Sequence, residues 1–252
     1  RMLTEDMKKI DGDIMVIGAG GKMGPSLCVL AKNAIKEAGL SKRVIAVSRF
    51  TDPIATQFLQ DNDIETVSTD LLEEGSVEKL EEVKNIIFMA GRKFGTEGGE
   101  ALTWAMNTCL PAQIGKKFRR SRIVAFSSGN VYPMMPIHSG GASEAVKPEP
   151  IGEYGMSCLG RERMFEYCSE KYKTPMLIYR LNYAVDLRYG VLHDIAENIM
   201  KDRPISVDTP AFKCIWQQGA DGRAIRCRGD TQYPSASLNV TGPGRVCGRE
   251  AA

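Results

Sequence analysis

Asp13-Ile14-Met15-Val16-Ile17-Gly18-Ala19-Gly20-Gly21-Lys22-Met23-Gly24-Pro25-Ser26-Leu27 is the stretch on which the fold turns. The apolar run Asp13 to Ile17 reads as a short buried strand. From Leu27 to Ala38 the apolar residues Leu27, Leu30, Ala31, Ala34 and Ile35 share one helical face, and Gly39 stops the helix. Between strand and helix lies a glycine loop. Glycines there let the backbone turn tightly and approach a pyrophosphate, whose charge meets the helix N-terminus. Spaced as GxGxxG the loop fails at Met23. Spaced as GxxGxxG it fits, with Gly18, Gly21 and Gly24, and with Gly20, Lys22 and Met23 between them. The same residues also suit a tight turn that holds no ligand; the flanking strand and helix favour the phosphate reading.

Working outward, the pattern repeats. Arg43 to Val47, Ile64 to Val67, Asn85 to Met89, Ile123 to Phe126 and Met176 to Leu181 read as strands. Helices are expected over Glu100 to Phe118, over Tyr154 to Tyr172, and around His193. A loop rich in Pro and Gly runs from Pro133 to Gly152. Strands alternating with helices predict an α/β, Rossmann-type doubly wound parallel sheet covered on both faces. After residue 200 the pattern weakens; Leu238-Asn239-Val240 reads as one more strand, and the tail from Gly242 to Glu250 as loop or disorder. Residues 1–190 are read as a dinucleotide-binding domain. Residues 191–252 are read as a short or truncated C-terminal substrate lobe intertwined with it. Trp216 within Lys213 to Gln218 reads as a stacking platform or as core.

The chain has 252 residues, 43 % of them hydrophobic, and a net charge of +2, so a core is available and no strong charge selects a partner. The cations Lys116, Lys117, Arg119 and Arg120 fall where a helix ends and complement its dipole, so no nucleic acid is expected. No apolar run spans a membrane and no signal peptide is visible. Seven scattered cysteines without a CxxC pair read as free thiols in a reducing cytoplasm. His138 and His193 lack metal-ligand spacing, so no metal site is expected.

The end of the second strand selects the cofactor. An acidic residue there would bind the ribose hydroxyls of NAD(H). Here stand Val47-Ser48-Arg49, a hydroxyl and a guanidinium that suit a 2′-phosphate, which favours NADP(H) and leaves NAD(H) as the alternative. Arg49 also reads as a solvated cation. Asp70, with Leu71 beside it, stands where an adenine amino group could donate, and reads equally as a helix cap.

Taken together these segments resemble the extended short-chain dehydrogenase/reductase family, the NAD(P)-dependent epimerases and dehydratases. The glycine loop carries the resemblance first. Phe88-Met89-Ala90-Gly91 is similar to the family's segment under the cofactor, and Asn107 to its helix asparagine. Ser127-Ser128-Gly129-Asn130-Val131-Tyr132 resembles its "SSxxVYG" stretch. Ser143-Glu144 and Pro148 resemble its acidic loop, Arg180-Leu181-Asn182 its segment after the sixth strand, and Leu238 to Gly242 a late strand. Tyr154-Gly155-Met156-Ser157-Cys158 is similar to "YxxSK" with Cys158 in place of lysine. The resemblance covers residues 13 to 242. It implies hydride transfer on a sugar or sugar-derived substrate by an epimerase, dehydratase or oxidoreductase. Ser128 would polarise the substrate oxygen, Tyr154 would be the acid and base, and Asn107 would hold local structure or a water. It also implies a homodimer through the two long helices, with Phe165, Cys168 and Tyr172 as suitable contacts, although Phe165 reads equally as facing the sheet. The alternative is a non-catalytic NADP(H)-binding sensor or scaffold.

The lost lysine has a measurable weight. A tyrosine with a pKa near 10 is ionised in about one molecule in a thousand at pH 7. An ammonium about 4 Å away, at an effective dielectric near 20, favours the phenolate by roughly 4 kcal/mol, or about three pK units. A neutral Cys158 thiol supplies none of this. Three substitutes are open: the charge of an oxidised nicotinamide, a reach back by Arg161 seven residues on, or use of Tyr154 only as a protonated donor. Arg161 reads more readily as a surface salt-bridge partner of Glu162 or Glu166. Cys158 itself has no His within ten positions to activate it and reads as a buried thiol rather than a nucleophile.

Overall fold

The computed structural model describes residues 2–93, 97–205, 211–244 and 246–247. Its centre is a seven-stranded parallel sheet built from β1 (Ile14–Ile17), β2 (Val44–Ser48), β3 (Glu65–Ser68), β4 (Asn85–Phe88), β5 (Arg122–Ser128), β6 (Met176–Leu181) and β10 (Ala236–Val240). The spatial order is β3-β2-β1-β4-β5-β6-β10. The order reverses between β1 and β4, and a doubly wound sheet binds ligands at such a reversal.

Successive strand residues point to opposite faces, so each strand feeds two cores. Ile14, Val16, Val44, Ala46, Ile87, Val124, Leu177 and Tyr179 pack with α2 (Gly24–Glu37) and α8 (Gln217–Arg226). Met15, Ile17, Ile45, Val47, Ile86, Phe88, Ile123, Ala125 and Ile178 pack with α5 (Leu110–Lys117) and α6 (Gly152–Tyr172). None of the described helices is long and apolar enough to cross a membrane.

Three differences from the sequence reading matter. First, Glu100 to Phe118 is α4 (Glu100–Trp104), a π-helical turn (Ala105–Cys109) and α5, not a uniform helix. The turn is centred on Asn107, whose side chain reaches out of the helix. Second, three helices were not legible: α1 (Met2–Lys9), α3 (Pro53–Asp61) and α8. In α8 the buried face is Gln217, Ala220, Asp221, Ala224 and Ile225, which has helical spacing but little apolar bulk. In α3, Asp52 caps the helix by accepting from the Ile54 amide at 2.9 Å, and Pro53 follows. Third, Phe165 and Cys168 face inward. Phe165 meets Phe88 edge-on at 5.2 Å and Cys168 packs on Gly115, so neither can serve as a dimer contact.

Beyond β6 the chain forms β7 (Tyr183–Val185), α7 (Val191–Met200), β8 (Ala211–Phe212) and β9 (Cys214–Trp216) before α8. β7 pairs with β9 in parallel, and β8 with β11 (Val246–Cys247) antiparallel, where a loop was expected. Residue 245 and residues 248–250 of that tail lie outside the described residues. Trp216 is exposed, which removes its reading as core.

Candidate active site

A cavity of about 550 Å³ crosses the carboxyl ends of β1, β4, β5 and β6. The glycine loop supplies Gly18, Gly21, Lys22, Met23 and Gly24 to its wall. The end of β4 supplies Gly91, β5 supplies Ser128, and α6 supplies Tyr154 and Arg161. Thus nine of the residues singled out by sequence converge there. Gly20, Ser48, Arg49, Asp70, Leu71, Ala90, Asn107 and Cys158 stand behind or beyond that wall.

The loop is built for close approach. Gly18 has φ +91°, and a Cβ on it would lie 2.4 Å from the Ala90 amide nitrogen; a Cβ on Gly24 would lie 2.2 Å from the Ala19 carbonyl oxygen. The GxxGxxG spacing therefore marks the tight positions. No side chain caps the start of α2. Pro25 contributes no N–H to the first turn of α2, which leaves the Gly24 and Ser26 amides there for an anion to meet. That donor set fits a pyrophosphate. Farther out, Gly20 leaves the space into which the Ser48 hydroxyl projects, and Arg49 pairs with Asp70 across 3.7 Å. Asp70 also accepts from the Leu72 amide at 3.0 Å, but residues 71–80 form a run of turns and not a helix, so it closes a turn where the sequence reading had a helix cap.

At the other end, Ser128 closes β5 and Tyr154 opens the first turn of α6. Their hydroxyls interact, and the phenol also meets the Cys158 thiol. Burial holds the Tyr154 pKa well above that of a free phenol; the Cys158 side chain pushes it further, and Arg161 and the Ser128 hydroxyl oppose that. Cys158 is fully buried, and burial raises its thiol as well. It is a neutral group behind Tyr154 with the wrong protonation for a nucleophile.

Asn107 spends all of its hydrogen-bonding capacity. Its Oδ1 accepts from the Arg92 amide at 2.8 Å and from Arg161 Nη2 at 2.6 Å; its Nδ2 donates to Arg92 O at 3.0 Å and Ser157 Oγ at 2.9 Å. It ties the segment after β4 to α6, which accounts for the π turn: the extra residue swings the amide into reach of both.

Arg161 is the largest departure from expectation. It forms no salt bridge at the surface; it is buried, donating to Phe126 O at 2.9 Å and to Asn107. Glu162 is instead bound by Arg180 and Ser127, and Glu166 by Arg163. Two pocket residues escaped the sequence reading altogether. Tyr183 and Tyr189 line the cavity from the segment after β6, with the Lys93 ammonium 5.7 Å and the Lys22 ammonium 4.5 Å from their ring centroids. Nothing in their local sequence distinguishes them from core aromatics. Among the described residues no three His, Cys, Asp or Glu side chains gather as a metal site.

A family model, that of the NAD dependent epimerase/dehydratase family, matches residues 14–188. None of the curated proteins compared with the chain matches it. Among solved structures, a UDP-glucuronic acid 4-epimerase from Bacillus cereus in complex with NAD superposes with a TM-score of 0.77 at 17 % identity, over 94 % of this chain and 80 % of that one. A UDP-glucose 4-epimerase from Thermotoga maritima, with UDP-glucose, gives 0.76 at 15 % identity, over 94 % and 79 %. The enzyme WbmF of Bordetella bronchiseptica, in complex with NAD+ and UDP, gives 0.76 at 14 % identity, over 98 % and 76 %. At these identities the likeness is one of fold.

Proposed function

The chain belongs to the NAD dependent epimerase/dehydratase family, and from that premise we propose that it uses NADP(H) to move a hydride on and off a sugar carbon of a nucleotide-sugar substrate. One observation carries the reading most: Ser128 and Tyr154, brought from β5 and α6, face the same cavity as the uncapped start of α2. The solved relatives support a nucleotide-sugar substrate, since those compared were crystallised with UDP or UDP-glucose or are UDP-sugar epimerases by name. They carry NAD. In this chain the end of β2 offers Ser48 and Arg49, which supports NADP(H), and the Asp70 carboxylate that pairs with Arg49 comes from beyond β3 rather than from the end of β2.

Gly18, Gly21, Lys22 and Gly24 would hold the pyrophosphate, and Gly91 with the Tyr154 side of the cavity the nicotinamide. That ring supplies the hydride donor and acceptor. Ser128 Oγ donates to the substrate oxygen and polarises it. Tyr154, kept protonated by burial, hands its proton to that oxygen when a carbonyl is reduced. The reverse step needs the phenolate, which a buried phenol populates little at neutral pH. Reduction is therefore the easier half for these residues. Residues 191–252 serve as the substrate lobe, with Tyr183 and Tyr189 as sugar-facing aromatics, and the chain pairs with a second copy across α4 to α6, where Leu102, Trp104 and Tyr167 are exposed.

Titration with NADPH and NADH, followed by nicotinamide fluorescence, tests the cofactor reading. Incubation with UDP-glucose and UDP-glucuronic acid, followed by proton NMR for the 4-epimer, tests the chemistry. Tight NADPH binding with no turnover of any sugar nucleotide would favour a non-catalytic sensor, the reading that the neutral Cys158 beside Tyr154 supports. Binding of neither cofactor would remove both.

A further inference from the structure

The guanidinium of Arg161 is a positive charge held inside the protein with no carboxylate to balance it. The side chain is 6 % exposed. Its partners are neutral oxygens, Phe126 O at 2.9 Å and Asn107 Oδ1 at 2.6 Å, and the face of Phe88 lies 5.8 Å beneath it. Its Nε has no partner. The adjacent Glu162 offers no compensation, because Arg180 already neutralises it. Removing a cation from water costs several kcal/mol unless a counter-charge meets it, so a site that keeps one uses it or pays for nothing.

The direction of the side chain shows where the charge acts. Helical side chains lean toward the helix N-terminus, so Arg161 reaches back along α6 toward the level of Cys158 and Tyr154. Its tip ends against the segment that follows β4: a Cβ on Gly91 would lie 2.3 Å from Nη2. Both Gly91 and Arg161 line the cavity, as does Tyr154. A hydride and a proton leave one substrate carbon and its oxygen together, so the nicotinamide must lie beside the residue that takes the proton, with reacting atoms about 3–3.5 Å apart. The cavity end that holds Tyr154 therefore holds the nicotinamide too, and Arg161 is in its wall.

We propose that Arg161 is a charge-supplying positioning residue: its buried guanidinium, packed under Gly91, opposes the positive ring of the oxidised cofactor and favours the neutral reduced ring, so the protein holds the reduced form more tightly. This rests on the reading of the cavity as a nicotinamide site. The same charge opposes the effect of burial on Tyr154, so it acts on both partners in the transfer from a point at which the helix carries only a neutral thiol.

The test compares dissociation constants for NADPH and NADP+, with NADH and NAD+ in parallel, by calorimetry on the full chain. Wild type is expected to bind the reduced form at least tenfold more tightly, the size given by unit charges several ångströms apart at an effective dielectric near 20. Arg161→Gln removes the charge and keeps a polar amide in its place, though it is too short to remake both bonds to Phe126 O and Asn107 Oδ1; the preference should fall at least fivefold on the same scale. Arg161→Lys keeps the charge and should retain most of it, and it also serves if the glutamine variant fails to fold. A merely structural Arg161 would weaken both forms alike. An unchanged ratio in Arg161→Gln, with both forms still bound, overturns the proposal and leaves the nicotinamide site standing. Failure of wild type to bind any of the four overturns the site reading and this proposal with it.

Discussion

The Glu162 carboxylate and the Arg180 guanidinium meet at 2.7 Å with 0 % and 5 % of their side chains exposed, one on α6 and the other on β6. Around them the segments that seemed separate motifs in the sequence become one network. Ser127 donates to Glu162 at 2.5 Å, Arg180 to the Tyr132 hydroxyl at 2.7 Å, and Tyr132 to Asn239 at 2.8 Å; Glu144 accepts from the Asn239 amide at 2.7 Å.

Breaking that pair on one side leaves a buried charge alone. Glu162→Gln or Arg180→Met is expected to lower stability by about 3–5 kcal/mol, and Glu162→Leu with Arg180→Met together by less than either alone. Urea unfolding of wild type, the single variants and the double variant gives the comparison; a double variant less stable than either single would refute the account.

Asp221 predicts a pH dependence. Burial pushes its carboxyl up to about 7 from an ordinary 3.8. The folded protein then holds a proton that the unfolded chain releases, so stability should fall as pH rises from about 4 to about 7, by at most about 1.4 kcal/mol per unit, and level off above. Hydrogen counting agrees. Ser26 Oγ has one hydrogen but lies 2.9 Å from Met23 O and 2.7 Å from Asp221 Oδ2, and only a protonated Asp221 lets both contacts form. Asp221→Asn should flatten the slope measured by urea midpoints between pH 5 and 8.

Arg228 is fully buried and none of its guanidinium nitrogens has a partner; burial, helped by Arg122, pulls its pKa down to about 9. A depressed base costs the folded state most below its folded pKa. Arg228→Met should therefore stabilise the protein by about 1–3 kcal/mol at pH 7, with the gain shrinking above pH 9. A lower thermal midpoint for the variant at pH 7 would count against this.

Tyr154→Phe should lower turnover by about 10²- to 10⁴-fold, the usual weight of a positioned acid or base, and change NADPH affinity by less than about threefold. Turnover within a factor of two of wild type would exclude the phenol from the chemistry.

Cys158→Lys should reduce activity and stability rather than restore anything. Position 158 is closed to solvent, and Arg161 already places a cation along the same face. A second ammonium there adds bulk and like charge. Parallel assays of turnover and thermal midpoint decide; a gain in both would mean that the pocket still accommodates the lysine.

The glycine loop and the parallel strands were legible because their determinants are local: a positive φ at Gly18, short apolar runs, and Gly39 after a helix. The elements that escaped depend on distant partners. The inner face of α8 is made of alanines, Gln217 and Asp221, so its helical period carries almost no hydrophobic signal. The π turn is set by where Asn107 finds four partners. An arginine beside two glutamates on a helix looks like a solvated ion pair, and only the capture of Glu162 by Arg180 from a neighbouring strand turns Arg161 inward.

Finally, β10 pairs along β6 from Leu177 to Leu181, Ala236 against Leu177 through Val240 against Leu181, after more than fifty intervening residues. Until that segment arrives, β6 presents a nearly buried, apolar edge with open hydrogen-bonding groups, the kind of strand that captures others of its sort. Sheet closure thus waits on a contact of long sequence separation, which slows folding and lengthens exposure to aggregation. Expression at low temperature or with chaperones should therefore raise the soluble yield of this chain.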